Sequence, residues 1–180
     1  MTAYTVVFAG VSCSGKTTLM SKIMRSRSYR RLLKIERPIY FTSKFEIEKF
    51  GFQKLPMDRG TTLLHVEINP APERQNRKEW LSFLGHSNSV SAVLVCPSRN
   101  LLLDFVRQRS ALEGNAKLFE EKENLYSGEW LFHQYLTFVK MLLSKFKIDH
   151  FLVLSDGATS APIHELDVMV DTLRAVYLSG

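Results

Sequence analysis

Thr5-Val6-Val7-Phe8-Ala9-Gly10-Val11-Ser12-Cys13-Ser14-Gly15-Lys16-Thr17-Thr18-Leu19-Met20 is the stretch on which the fold turns. Its first five residues form a β-branched and aromatic run that stops at Gly10, the pattern of a short buried strand. From Thr17 onward the apolar period changes. Leu19, Met20, Ile23 and Met24 recur at helical spacing with Lys22 and Arg25 opposite, which predicts an amphipathic helix to about Ser28. Between strand and helix, Gly10 to Thr17 spells G-x-x-x-x-G-K-[ST] in full. At such a junction unpaired backbone N–H groups and the positive helix end converge on one point, so the loop is an anion site. Gly10 and Gly15 permit close approaches and conformations that a Cβ blocks.

Working outward, Ile39 to Thr42 reads as a second strand and Thr62 to Ile68 as a third, the latter bounded by Arg59-Gly60 and Asn69-Pro70. Between them Ser43, with Glu46 three residues on, predicts a capped short helix reaching Phe52. Glu73 to Leu84 reads as another helix, and the continuously apolar Val90 to Cys96 as a strand covered on both faces. Pro97-Ser98 opens a helix to about Leu112. Gly114 to Gly128 is rich in Lys and Glu and is expected to be a mobile excursion. Glu129 to Phe146 predicts a buried helix, Phe151 to Leu154 a last strand, and Ser160 to Tyr177 a helix striped by Ile163, Leu166, Val170, Leu173 and Tyr177. Five strands alternating with helices imply a three-layer α/β sandwich: a five-stranded, mostly parallel sheet with helices on both faces.

At 180 residues the chain suits one domain with one continuous core. Its 45% hydrophobic and 23% charged composition excludes a disordered chain, which lacks the apolar surface to offset ordering entropy. No apolar run approaches the roughly 18–20 residues that span a bilayer. Cys13 and Cys96 lack metal-ligand spacing, and no basic and apolar leader pattern opens the chain, so a reducing cytoplasm is the expected compartment. The net charge of +6 is concentrated between Arg25 and Arg37, where six basic residues face one acid, Glu36. Such a run is either a solvated helix end or a weak nucleic-acid contact.

With strand, loop and helix in this order, the chain resembles the P-loop NTPase superfamily, nearly throughout in alternation and in eight residues by motif. The resemblance implies that Gly10, Ser12, Cys13, Ser14, Gly15, Lys16, Thr17 and Thr18 hold the phosphates of ATP or a related triphosphate. Lys16 would reach the β and γ phosphates and the Thr17 hydroxyl would ligate Mg²⁺. A Ras-like GTPase needs an Asn/Thr-Lys-x-Asp motif after a late strand, whereas here that strand runs into Leu154-Ser155-Asp156-Gly157. The Ser-Gly-Gly-Gln signature of transporter ATPases is also missing. What remains is similar to the small nucleoside and nucleotide kinase-like group, phosphotransferases with an arginine-bearing lid.

On that resemblance Arg107 and Arg109, just before the charged excursion, are candidate lid cations for the transferring phosphoryl group, and 107–128 is the lid. The alternative is a solvated charge at a helix C-terminus. Glu67, ending the apolar run Leu63-Leu64-His65-Val66, is the Walker-B-like candidate, to hold Mg²⁺ or take the proton of an attacking hydroxyl. The family more often has Asp there, and a carboxylate capping the next turn is the alternative. His65 is left unassigned, since a lone histidine in an apolar strand is more often simply hydrogen-bonded. The expected activity is ATP-dependent phosphoryl transfer to a small molecule or nucleotide; the alternatives are a kinase acting on nucleic acid and a regulatory NTP binder or GTPase. The acceptor would lie on Ser43 to Gly60 and Asn69 to Asn76, and the base against Ser155 to Ala161.

Overall fold

The first strand, β1 (Tyr4–Gly10), is buried on both faces. Its side chains alternate between two cores: Val6 and Phe8 enter one, Val7 and Ala9 the other. That division is the physical basis of a three-layer sandwich, because a strand that hides both faces needs a layer on each. The structure, a computed structural model, describes residues 4–52, 55, 60–68 and 79–178.

In chain order β1 is followed by α1 (Lys16–Arg25), α2 (Arg27–Leu32), β2 (Ile39–Ser43), α3 (Lys44–Phe50), β3 (Thr61–Glu67) and α4 (Glu79–Gly85). Then come β4 (Ser89–Val95), α5 (Arg99–Glu113), α6 (Ala116–Leu125), α7 (Gly128–Lys145), β5 (Ile148–Ser155), β6 (Ala158–Thr159) and α8 (Leu166–Tyr177). The sheet order is β2-β3-β1-β4-β5-β6, parallel throughout except for β6, which turns back antiparallel on β5. The sixth strand, absent from the five-stranded expectation, is two residues long and carries no apolar run to announce it.

The two outer layers are unequal. Leu19, Met20 and Ile23 of α1, with Leu33 after α2, cover one face of β1. The other face carries Ile47 of α3, Trp80, Phe83 and Leu84 of α4, Leu102 and Val106 of α5, six residues of α7, and Met169, Leu173 and Tyr177 of α8. Each such large apolar side chain contributes about 1.5–3 kcal/mol on burial.

Several boundaries depart from the sequence reading. The helix expected to run to Ser28 ends at Arg25, because Ser26 is extended and its hydroxyl accepts from Tyr29 N to start α2. The capping box at Ser43 and Glu46 forms on both sides. The charged stretch Gly114 to Gly128 contains the regular helix α6, capped by Asn115, none of whose residues is buried. The last helix starts only at Leu166, and Ile163 is instead buried through a bridge to Phe151. Of the helix expected over Glu73 to Leu84, residues 73–78 lie outside the described residues, as do residues 53, 54 and 56–59 of the first expected acceptor segment and all of the second, 69–76.

Candidate phosphate-binding site

β1 sends its chain to α1 on one face, while β3 continues toward α4 on the opposite face. Where two neighbouring parallel strands part in this way, a crevice opens at their C-terminal ends, the general ligand position of open α/β sheets. Gly10 and Glu67 stand directly opposite each other in the parallel register at that crevice. Strand parity does the rest. Leu63 belongs to the core beneath α1, so His65 and Glu67, two and four residues on, face the same side as the loop and Lys16.

The loop is built tightly. A Cβ on Gly10 would collide with the Ser14 hydroxyl and come within 2.8 Å of the Val95 carbonyl oxygen. Gly15, at φ 86°, starts α1 in the left-handed region that a side chain disfavours. Cys13 is also left-handed, at φ 64°. Lys16 is 5% exposed and folds back over the loop, where its ammonium donates to Gly10 O at 2.8 Å, Val11 O at 2.6 Å and Ser14 Oγ at 3.3 Å. Burial pulls its pKa down to about 8, opposed by the nearby Glu67 carboxylate. Burial, and then the charge of Lys16, holds His65 at about 4, so the imidazole is neutral at pH 7.

A cleft of about 700 Å³ opens over the loop, within the roughly 300–1,000 Å³ of small-molecule sites. Ser12 to Thr18 form its floor, with His65 and Glu67 on the β3 side and Asp156 and Gly157 from the turn after β5. A further wall comes from α5, with Leu101, Phe105, Gln108, Arg109 and Leu112, and Val95, Pro97 and Leu154 add to the lining. The cleft thus combines a basic, N–H-rich end with an apolar flank.

The sequence candidates are distributed unevenly. Ser12, Cys13, Ser14, Gly15, Lys16, Thr17, Thr18, Glu67 and Arg109 line one cleft, with Gly10 packed beneath them. Arg107 is not brought to it. It pairs with Asp104 Oδ1 at 2.8 Å and lies 4.9 Å from the Phe119 ring, on an outer side of α5. Two residues along a helix turn a side chain by about 200°, so Arg107 and Arg109 cannot share one target. Arg109 bonds Glu113 Oε1 at 2.7 Å and reaches within 3.8 Å of Cys13 Sγ.

The α5 wall other than Arg109 was missed by the sequence reading. Its signal was present: residues 101, 105, 108, 109 and 112 recur at i, i+4, i+7, i+8 and i+11, a second stripe beside the core stripe of Leu102, Leu103 and Val106. Among the described residues no group of three His, Cys, Asp or Glu could hold a metal ion by itself, and no helix is long and apolar enough to cross a membrane.

The mostly parallel sheet and its surrounding helices make a P-loop kinase-like α/β fold. A solved chain from the PezAT chromosomal toxin-antitoxin system of Streptococcus pneumoniae has a similar fold, with a TM-score of 0.61 over 99% of this chain and 80% of that one. Sequence identity is 10%, so the likeness is one of fold. No protein-family model matches the chain, and no curated protein matches it significantly.

Proposed function

We propose that this chain is an ATP-dependent phosphotransferase acting on a hydroxyl or phosphate of a small molecule or nucleotide. The observation that carries the reading is the convergence of Lys16, Glu67 and Arg109 on one cleft above a glycine loop at the sheet's parting point. In this reading the loop N–H groups and Lys16 neutralise the triphosphate, and Arg109 offsets charge on the phosphoryl group in flight. Glu67 orients or deprotonates the attacking hydroxyl. The base would lie on the flank formed by Phe105, Leu101 and the Asp156-Gly157 turn, at the start of the segment expected to receive it.

Magnesium suits this donor set. Among the described residues no protein-only cage is found, but Mg²⁺ commonly takes one or two protein oxygens together with phosphate oxygens and waters, and the Thr17 hydroxyl and Glu67 carboxylate would supply those. When bound, the ion would add positive charge against the phosphates.

A second reading, a kinase acting on nucleic acid, has one observation of its own. Among the described residues none of Arg25, Arg27, Arg30, Arg31, Lys34 and Arg37 is engaged in a salt bridge. Those cations are available to a phosphate backbone, yet the cleft itself does not include them.

The test is transfer of the labelled γ-phosphate of ATP, with Mg²⁺, to a panel of nucleosides, nucleotides, sugars and oligonucleotides. The reading expects ADP formation that depends on a small acceptor. A faster rate on an oligonucleotide would select the second reading, and nucleotide binding without transfer to any acceptor would leave a regulatory binder.

A further inference from the structure

Two tyrosines outside the motif hold the phosphate loop from beneath. Tyr135, in the middle of α7 and fully buried, accepts a hydrogen bond from Val11 N at 3.3 Å and donates to the Val95 carbonyl oxygen. Tyr126, 1% exposed, donates from its hydroxyl to Ser12 O at 3.2 Å. Burial raises the pKa of both phenols, so both keep their protons at neutral pH. Two consecutive residues of the loop, immediately before the left-handed Cys13, are therefore fixed by side chains more than a hundred residues away in sequence.

Tyr126 is also the joint between two helices. It is the C-cap of α6, and the next residue, Ser127, is the N-cap of α7. Its carbonyl oxygen accepts from Arg99 Nε at 2.7 Å, and its ring stacks on Trp130 with centroids 5.4 Å apart. The helix α6 buries none of its residues; Phe119 meets the Arg107 guanidinium, and the Lys122 ammonium lies 5.5 Å from the Tyr126 ring. At its other end α6 follows Gly114 in the left-handed conformation. The helix packs Leu118 and Phe119 against the core without fully burying either, and the Tyr126 phenol at its C-terminal end joins it to the Ser12 peptide of the loop.

We propose that Tyr126 and Tyr135 are positioning residues for triphosphate binding, with Tyr126 linking the phosphate loop to α6 so that loop occupancy and the placement of α6 depend on each other. The proposal rests on the phosphate-loop reading given above. Coupling of this kind is reciprocal: whatever a bound triphosphate does to the Ser12 peptide is felt at the α6–α7 joint, and the reverse.

The chain has two tryptophans, so Trp80→Phe leaves Trp130, stacked on Tyr126, as a single optical reporter. In that background, saturation with Mg-ATP should change Trp130 emission, with calorimetry giving the affinity. Adding Tyr126→Phe should weaken Mg-ATP binding by about fivefold, the scale of one net hydrogen bond, and remove the emission change. Tyr135→Phe should weaken binding more, since it leaves the buried Val11 N–H without its acceptor. Val139→Ala, a core truncation on α7 with no contact to the loop's hydrogen bonds, should lower Tm while keeping both affinity and emission response. Wild-type affinity and an intact emission response in Tyr126→Phe would overturn the link, as would an equal loss of affinity in Val139→Ala. Absence of any binding by the parent chain would instead overturn the phosphate-loop reading itself.

Discussion

The two ends of α1 both carry cations, and they differ in kind. At its start Lys16 is buried, wrapped by three oxygen acceptors and depressed in pKa by that burial. Beyond its end, from Arg25 to Arg37, six cations spread over α2 and its flanks without a salt bridge among the described residues. The first region has one charge and the second has six, yet on the proposed function the first is the better anion site. A charge is selective when the fold has already removed its water and aimed it; a charge in solvent gains little from any partner and is screened by salt.

The strongest way to break this comparison is to remove the buried charge. Lys16→Ala should abolish productive triphosphate binding, a loss on the scale of about 2–5 kcal/mol expected when a buried charge interaction is truncated. Calorimetry with Mg-ATP reads it, and unchanged affinity would remove the loop from the account. Glu67→Gln keeps shape and drops charge, so nucleotide should still bind while phosphoryl transfer falls by at least about tenfold. Full turnover in that variant would reduce Glu67 to a turn-capping carboxylate.

A finer test uses two arginines on one helix. Arg109→Ala should lower kcat by about tenfold with a smaller effect on ATP affinity, because a group that acts on the transferring phosphoryl stabilises the transition state more than the ground state. Arg107→Ala, which loses an exposed pair with Asp104, should stay close to wild type. Reversed outcomes would contradict the assignment of the cleft.

Titration sharpens the buried side further. Lys16 carries its charge below about 8 in the free protein, and a bound triphosphate favours the charged form. Nucleotide affinity should therefore be flat below about pH 8 and fall as pH rises through it. Stability runs the other way: with a folded pKa below the unfolded one, the unfolded chain binds more protons above about 8, and the free protein gains stability as pH rises from there toward 10.5. Parallel affinity and thermal-denaturation curves against pH check both signs. The smallest effect belongs to the exposed region. Reversing Arg27, Arg30 and Arg31 to Glu should remove only a weak, salt-sensitive oligonucleotide affinity and leave ATP turnover unchanged.

What was legible in the sequence follows from how local each signal is. The loop and its flanking elements were readable because glycine, lysine and the change of apolar period lie within about one turn of each other. The parallel sheet was readable because Val6 to Ala9, Leu63 with Leu64 and Val66, and Ala92 to Val95 place apolar side chains on both faces. The missed parts depend on tertiary juxtaposition. The core stripe of Leu102 and Val106 separates Arg107 from Arg109 on α5, but that the flank carrying Arg109 lies over the loop is set by where α5 packs on the sheet, which the helix's own sequence does not state. Tyr126 and Tyr135 reach the loop across 114 and 124 residues, a separation over which periodicity carries no information.

The central claim, that the loop from Gly10 to Thr18 binds a nucleotide by its phosphate chain, is most directly tested by one calorimetric series. The wild-type chain, with Mg²⁺, would be titrated with ATP, ADP and AMP under identical salt. Affinity should decrease from ATP to ADP and nearly vanish for AMP, since Lys16 and the loop act on the outer phosphates. Equal affinity for all three, or no heat with ATP, would contradict the account.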